Sequence, residues 1–424
     1  MPANVDPSQT APPPRSKCPA SRRPPRHVPP PALRHRAFTV AEAAVAGVTR
    51  SQLKSRAYTR LAFNVFACTG DSASRLDVAR AIMQNKPDLV VSRESAALTW
   101  DIPLPHTLQQ SESDQTGTGT ESRFGGRARE STTGPASRSW ADPIDLPTLR
   151  RAVRDHPLTL TSRTRHVRVR HAASTCRTTF VSDADITHVR IPGASRMPGA
   201  PPTTVPVLSR EATWRSLAQS LTTVDLVVIA DHLVREPRPR FESRSSPHCT
   251  LSRLAGIVHD ASQMKGVRRL REAHAFARVG SDSPQETRAR LILTLAGLPE
   301  PSPNRRIRDA SGFLLAVPDL AFPKERVAVQ YQGASHTSLR RMSKDDRLAR
   351  ALTEEGWLTL NAFADDLIAF PLPAPELREL RAALHPVRDR LRITGLRILG
   401  TDPHLFPLVG RVVDALRRRG WNRD

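Results

Sequence analysis

Pro318-Asp319-Leu320-Ala321-Phe322-Pro323-Lys324-Glu325-Arg326-Val327-Ala328-Val329-Gln330-Tyr331-Gln332-Gly333 reads as a β-hairpin. Its two halves are apolar and β-branched or aromatic, and Pro323 to Arg326 form a polar connector of hairpin length. Pairing Phe322 with Val327 across that connector sets Leu320 opposite Val329 and Asp319 opposite Gln330. Directly opposed side chains on one face of such a ladder sit roughly 5 Å apart. A carboxylate and an amide therefore point into one small volume, which is half of a metal site.

Working outward, Ser283-Pro284-Gln285-Glu286 opens a helix, with Ser at the N-cap, Pro at N1 and Glu at N3. Leu291, Leu295 and Leu298 give it an apolar stripe. Glu286 has two uses open to it at N3: closing a capping box, or offering its carboxylate to a metal. After the hairpin come Gly333-Ala334-Ser335-His336, a basic loop, and a helix starting near Lys344-Asp345-Asp346-Arg347. Gly356-Trp357 ends that helix, and Leu358 to Phe363 supplies a further strand. Pro407 to Trp421 is a Val/Leu-striped helix with a basic end, suited to packing on this unit.

The order helix, strand, strand, helix, strand is that of the restriction-endonuclease-like core. Residues 283 to about 370 resemble the very-short-patch-repair-like members of the PD-(D/E)XK nuclease superfamily. The resemblance rests on Ser283-Pro284-Gln285-Glu286, Ala296-Gly297-Leu298-Pro299, Pro318-Asp319 through Pro323, Val329-Gln330-Tyr331-Gln332-Gly333, His336, Asp345, Leu352 and Gly356-Trp357. It implies a restriction-endonuclease-like core with a central mixed sheet over residues 250–424. It also implies a site in which carboxylates hold Mg²⁺, polarise a scissile phosphate and lower the pKa of an attacking water. By that resemblance Glu286 and Asp319 are the metal-ligand candidates, and Gln330, Gln332 and His336 complete the candidate catalytic set. His336 would orient a water or protonate a leaving oxygen; a loop histidine donating to a backbone carbonyl is the plainer alternative. Asp345 reads either as a distal site residue or as a carboxylate suited to the first turn of a helix.

Two departures bear on activity. The family usually carries Val-Glu-Tyr-Asp-Gly where this chain has Val329-Gln330-Tyr331-Gln332-Gly333, so two anionic ligands have become neutral amides. Its usual Arg in the following helix is replaced by Leu348, with Arg347 one position out of register. A Gln carbonyl can ligate a hard cation but brings no charge. The reading is therefore a DNA-binding protein with an endonuclease-like domain whose catalytic site is degraded. A Mg²⁺-dependent DNA endonuclease is the alternative.

In the N-terminal half, residues 1 to about 35 are rich in Pro and Arg and read as a disordered basic tail, with order beginning at Phe38. Thr39-Val40-Ala41-Glu42 and Thr49-Arg50-Ser51-Gln52 are both capping boxes, the second opening a short helix through Arg56. Gly47 between them supplies the turn of a helix-turn-helix. Arg60 to Ala67 alternates around Phe63-Asn64 as a β-wing. Residues 36–105 resemble the winged helix-turn-helix of AbiEi-type antitoxins, with Asn64 at the positive-φ position that Gly would take. The resemblance implies Arg50, Gln52 and Lys54 toward DNA bases and Arg56 and Arg60 toward phosphates. It also admits an antitoxin-like transcriptional regulator with a cognate toxin as partner.

Residues 106–145 shift to Gly, Ser, Thr and charge, the composition of a linker. Residues 146–240 read as a middle α+β region. In it His166-Val167-Arg168-Val169-Arg170-His171 alternates as a strand with one basic face, and residues 209 to 235 form two helices. An Arg/Ser/Pro island at 236 to 248 reads as another linker. The fold class expected is thus α/β (α+β) in several units. Among 424 residues, 64 Lys+Arg stand against 41 Asp+Glu, a net charge of +23. So basic a chain gathers polyanions, and DNA is the expected partner. Four cysteines at dispersed positions form no CxxC or Cys/His cluster, which argues against structural zinc and fits a reducing cytoplasm. No apolar run approaches the ~20 residues that span a bilayer.

Overall fold

The computed structural model describes residues 27–105 (except 85 and 87), 143–155, 158–162, 172–177, 181–191, 203–238, 242–332, 349–370, 375 and 389–421. After strand β1 (Phe38–Thr39), the Thr39 hydroxyl accepts from Glu42 N at 3.1 Å and Glu42 Oε2 accepts from Thr39 N at 2.7 Å. This capping box opens helix α1 (Val40–Val45). The second box also forms, with Thr49 N donating to Gln52 Oε1 at 2.7 Å and Gln52 N to the Thr49 hydroxyl at 3.3 Å. It starts only a 3-10 turn over Gln52–Lys54, however, and not the helix through Arg56. The cause is local: Ser55 N closes onto Gln52 O, Ser55 is extended, and Leu53 is the turn's one buried side chain. A single turn with a single anchor has too little packing to offset helix nucleation.

The wing is present as β2 (Tyr58–Ala62) and β3 (Val65–Cys68), in a three-stranded sheet of order β1-β3-β2. Asn64, at the turn, has φ +58°. The ordered chain begins earlier than composition suggested. Leu33 is buried with Phe38, Tyr58 and Cys68, and Arg34 pairs with Asp71 at 2.8 Å. One aliphatic residue and one arginine tie down the end of a segment whose average composition reads as tail. Residues 1–26 lie outside the described ones.

One sheet draws strands from both sides of residue 105. Following β4 (Ser72–Ala73) and α2 (Arg75–Met83), β5 (Leu89–Val91) is fully buried, and α3 (Arg93–Thr99) follows it. Beyond it come β6 (Ile144–Asp145), α4 (Leu146–Asp155), β7 (Leu158–Ser162), β8 (Ala172–Arg177), β9 (Ile186–Arg190) and β10 (Thr204–Leu208). These strands make a five-stranded mixed sheet of order β8-β7-β5-β10-β9, with β5 at its centre. Three consecutive apolar residues suit a strand covered on both faces, and β5 shares its core with Leu61, Ala62, Val65 and Ala67 of the wing as well as with β7 and β10. The basic stretch 166–171 and positions 106–142 of the linker lie outside the described residues. Positions 144–145 are β6, paired with β4.

Five helices follow: α5 (Arg210–Leu217), α6 (Thr223–Val234), α7 (Leu251–Asp260), α8 (Val267–Phe276) and α9 (Pro284–Leu295). They share one core, in which Trp214, Leu217 and Leu233 meet Leu254, Leu270, Leu291 and Leu295. The division at 240–250 is therefore crossed by continuous packing. It is also crossed by an ion pair with no exposed surface, Arg290 Nη2 to Asp231 Oδ2 at 2.8 Å. Asp231 further accepts from the Thr287 hydroxyl and from Arg278 N. Burial pushes its carboxyl up, against the pull of Arg290 and these donors.

The last unit contains β11 (Ser302–Pro303), β12 (Ile307–Arg308), β13 (Leu314–Ala316), β14 (Leu320–Phe322) and β15 (Val327–Tyr331). A helical stretch at 349–354 precedes β16 (Leu358–Ala362), and α10 (Asp389–Leu399) and α11 (Pro407–Arg418) close the chain. The four-stranded sheet runs β11-β14-β15-β16, antiparallel except for the parallel β15–β16 pair. Its hairpin register is Leu320 to Val329 and Phe322 to Val327, as the alternation requires. Leu320, Phe322, Val327 and Val329 pack on α9 and α11, while Ala328 faces Ile307, Ala316 and Leu352 on the other side. Three short strands, β11 to β13, which the sequence reading did not include, stand between α9 and the hairpin, and the chain as a whole is a mixed α/β fold.

Candidate functional site

Asp319 stands just before β14, one position ahead of the first paired residue, and this fixes its partners. Its Oδ2 accepts from Gln330 Nε2 at 2.8 Å and from Tyr331 N at 2.6 Å. Glu286 comes to the same place from the first turn of α9. Its N–H donates to the Ser283 hydroxyl at 3.3 Å, and its Oε2 accepts from Asp282 N at 2.8 Å. The reach-back bond thus falls one residue before the N-cap. Ser283 caps α9 while Glu286 faces inward.

Asn304 ties the Glu286 carboxylate to the backbone of Asp319. Its N–H donates to Asp319 O at 3.0 Å, and its side-chain Nδ2 donates to Glu286 Oε2 at 2.8 Å and Gly280 O at 2.6 Å. Its Oδ1 accepts from Arg238 at 3.0 Å. Every donor and one acceptor of that amide are used. Asn304 holds φ +46°, a left-handed conformation that Asn tolerates better than most residues.

Burial pushes the Asp319 carboxyl up to about 7, and the nearby Glu286 carboxylate adds to this. The Tyr331 and Gln330 donors and the charge of Arg238 pull the other way without prevailing. Burial likewise raises Glu286, with Asp282 adding to the rise and the Asp282, Ser283 and Asn304 hydrogen bonds opposing it. The two carboxyls titrate as a pair that retains a proton near neutral pH.

The fold therefore brings Glu286, Asp319 and Gln330 together. Gln332 is placed elsewhere: its N–H donates to Ala362 O at 2.7 Å, and its side chain points to Asn361 Oδ1 at 3.5 Å. His336, with Asp345, lies outside the described residues. Sequence reasoning missed Asn304 and Asn361. Asn361 is in register with Gln330 across the parallel β15–β16 pair, so Asp319, Gln330 and Asn361 form one polar row over three chain segments. The break of a Leu-Thr-Leu strand by Asn was the available signal for it. For Asn304 the only signal was an Asn following Pro303 in a turn.

An active endonuclease of the resembled family would hold Mg²⁺ on these donors. Among the described residues no three His, Cys, Asp or Glu side chains gather as a metal site. Gln330 Nε2 lies against Asp319 Oδ2, and among the described residues its buried Oε1 has no hydrogen-bond partner. A donor thus occupies the side of Asp319 where a further metal ligand would stand. One donor amide and two carboxylates already holding N–H groups do not fit a catalytic Mg²⁺.

At the N-terminal unit Arg50, Lys54 and Arg56 are exposed. Gln52 is not free to read a base, since its oxygen closes the Thr49 cap and its Nε2 lies 3.4 Å from His27 Nδ1. Arg60 lies along the wing, its guanidinium 5.8 Å from the Phe63 ring centroid and its Nε donating to Ala62 O.

No family model matches the chain. Two proteins of Mycobacterium tuberculosis, from different strains and both described only as uncharacterized, are 28% identical to it over 151 residues. The match covers 35% of this chain, which spans about half the length of these curated relatives (53%). No helix among the described residues is long and apolar enough to cross a membrane.

Proposed function

We propose that the chain is a cytoplasmic DNA-binding protein that joins an AbiEi-type winged unit to a very-short-patch-repair-like domain of the PD-(D/E)XK superfamily, the latter catalytically retired. The observation that carries this reading is the Gln330 amide donating to Asp319 in register. An enzyme of this chemistry needs an acceptor there, and the chain supplies a donor. The net charge of +23 and the exposed Arg50, Lys54 and Arg56 support DNA as the partner.

Incubation with supercoiled plasmid in Mg²⁺ or Mn²⁺ tests it. The expected outcome is DNA retardation with no nicking above that of the Asp319→Asn variant. Nicking that disappears in Asp319→Asn would overturn the reading in favour of the active endonuclease. The one observation that favours this second reading is the convergence of Glu286 and Asp319 themselves.

A further inference from the structure

The island at residues 236–248 is not a free linker. His248 ends it, and its ring lies against that of His232 on α6, centroids 5.7 Å apart and planes tilted by 34°. Above the pair is a group of arginines. Arg210, the first residue of α5, stacks its guanidinium over the Trp100 ring at 4.4 Å, and its Nε is buried with no hydrogen-bond partner among the described residues. Arg244 uses Nε on Glu242 at 2.6 Å and Nη1 on Arg235 O at 3.3 Å; its Nη2 is likewise buried and without a partner. Arg235 is satisfied by Glu242 at 2.6 Å and Asp282 at 3.2 Å.

We propose that Arg210, Arg244, His232 and His248 form a binding site for a phosphate-class oxyanion, distinct from the Glu286–Asp319 site. Buried donors in native proteins find acceptors, so two orphaned guanidinium N–H groups in one cluster call for one. Guanidinium forks match tetrahedral oxyanions, and Arg is favoured wherever such groups are recognised. The charge balance decides against the other ligand class that paired imidazoles attract. Three guanidiniums act on the imidazoles and Glu242 is the carboxylate that acts on them in return, while Asp282 pairs with Arg235 and Glu211 and Asp101 bear on Arg210. A metal cation would enter against that field, whereas an anion enters with it.

The histidines add a consequence. Burial pushes both imidazoles down to about 4; His248, Arg235, Arg244 and Arg210 act in the same sense on His232. For His248 the same three arginines push down and Glu242 alone opposes. Both rings are neutral near pH 7 in the free protein. A bound dianion offsets the arginine field and favours the imidazolium, so binding takes up protons.

The test uses the full chain and inorganic phosphate, titrated calorimetrically at constant ionic strength in two buffers of different ionisation enthalpy at pH 6. Saturable binding with buffer-dependent heat is expected, tenfold or more weaker in the Arg210→Gln/Arg244→Gln variant. Proton uptake, corrected for the proton that phosphate, mainly the monoanion at pH 6, releases on binding as the dianion, should be lost in His232→Gln/His248→Gln. Absence of saturable heat in the unsubstituted chain, or unchanged affinity in the arginine variant, would overturn the proposal. Should that variant not fold, imidazole nitrogen resonances of the unsubstituted chain decide. Phosphate must raise the titration midpoints of both histidines, and unmoved midpoints would overturn the site. A short oligonucleotide then separates the sources: competition with phosphate assigns the site to a nucleic-acid backbone, and its absence assigns it to a free phosphate or monoester.

Discussion

At the scale of single residues, the Asp319 carboxyl governs two measurable behaviours. Because burial and Glu286 raise it to about 7, the native state holds a proton that the unfolded chain releases near the ordinary carboxylate range, about pH 4. Between those limits the native state binds more protons, so stability without added divalent metal falls as pH rises toward 7. Asp319→Asn removes that loss, and should stabilise the chain at pH 8 by on the order of 2 kcal/mol while leaving pH 4 nearly unchanged. Urea denaturation at both pH values checks this. Equal effects at the two would mean that the pair is not protonated as described. The register makes a second expectation sharper than the motif alone did. Only Gln330 opposes Asp319, and Gln332 turns to Asn361. Gln330→Glu by itself should therefore raise Mn²⁺ affinity tenfold or more, and Gln332→Asp by itself should not. Calorimetric titration of the two single variants separates them.

At the scale of elements, legibility followed how local the determining physics is. The hairpin was readable because alternation, turn length and facing partners all lie within sixteen neighbouring positions, Pro318 to Gly333. The α1 cap and the wing turn were readable for the same reason. The expected recognition helix was not, because a cap announces a start and says nothing of length. The Thr49–Gln52 box forms as read, yet with Leu53 as its one buried side chain nothing extends the turn. The wing is the better-formed element, its strands packed into the core and its turn held at Asn64 by a left-handed backbone. Asn64→Ala, which keeps the Cβ but loses the short polar side chain that eases this backbone, should cost about 1 kcal/mol, whereas Asn64→Gly, which also removes the Cβ clash, should be close to neutral. Chemical denaturation distinguishes them; equal losses for both would place the cost in the side-chain contacts of Asn64 instead.

At the scale of the whole molecule, composition suggested units separated by linkers, and tertiary packing runs across two of those divisions. Nothing local in Leu89-Val90-Val91 says that its neighbours are β7 and β10, from more than sixty positions onward. Nothing in the 236–248 island says that Arg235 and Arg238 pair with Asp282, next to the Glu286 turn. The carboxylate site is thereby bolted to helices on both sides of the island, with Asp231 and Arg290 as its buried pin. Removing one partner of such a pair leaves an unpaired buried charge or an unsatisfied group and costs about 3–5 kcal/mol, while replacing both by apolar residues is often tolerated. Arg290→Met is therefore expected to destabilise strongly, and Asp231→Leu/Arg290→Met to recover much of that loss. The same packing forbids an independent C-terminal unit. Residues 250–424 expressed alone would expose the faces of α7, α8 and α9 that Trp214, Leu217 and Leu233 cover. Such a fragment should lack a cooperative thermal transition, and 203–424, which restores α5 and α6, should regain one. A cooperative transition in the shorter fragment would restore the boundary that composition drew and would make the island a linker after all.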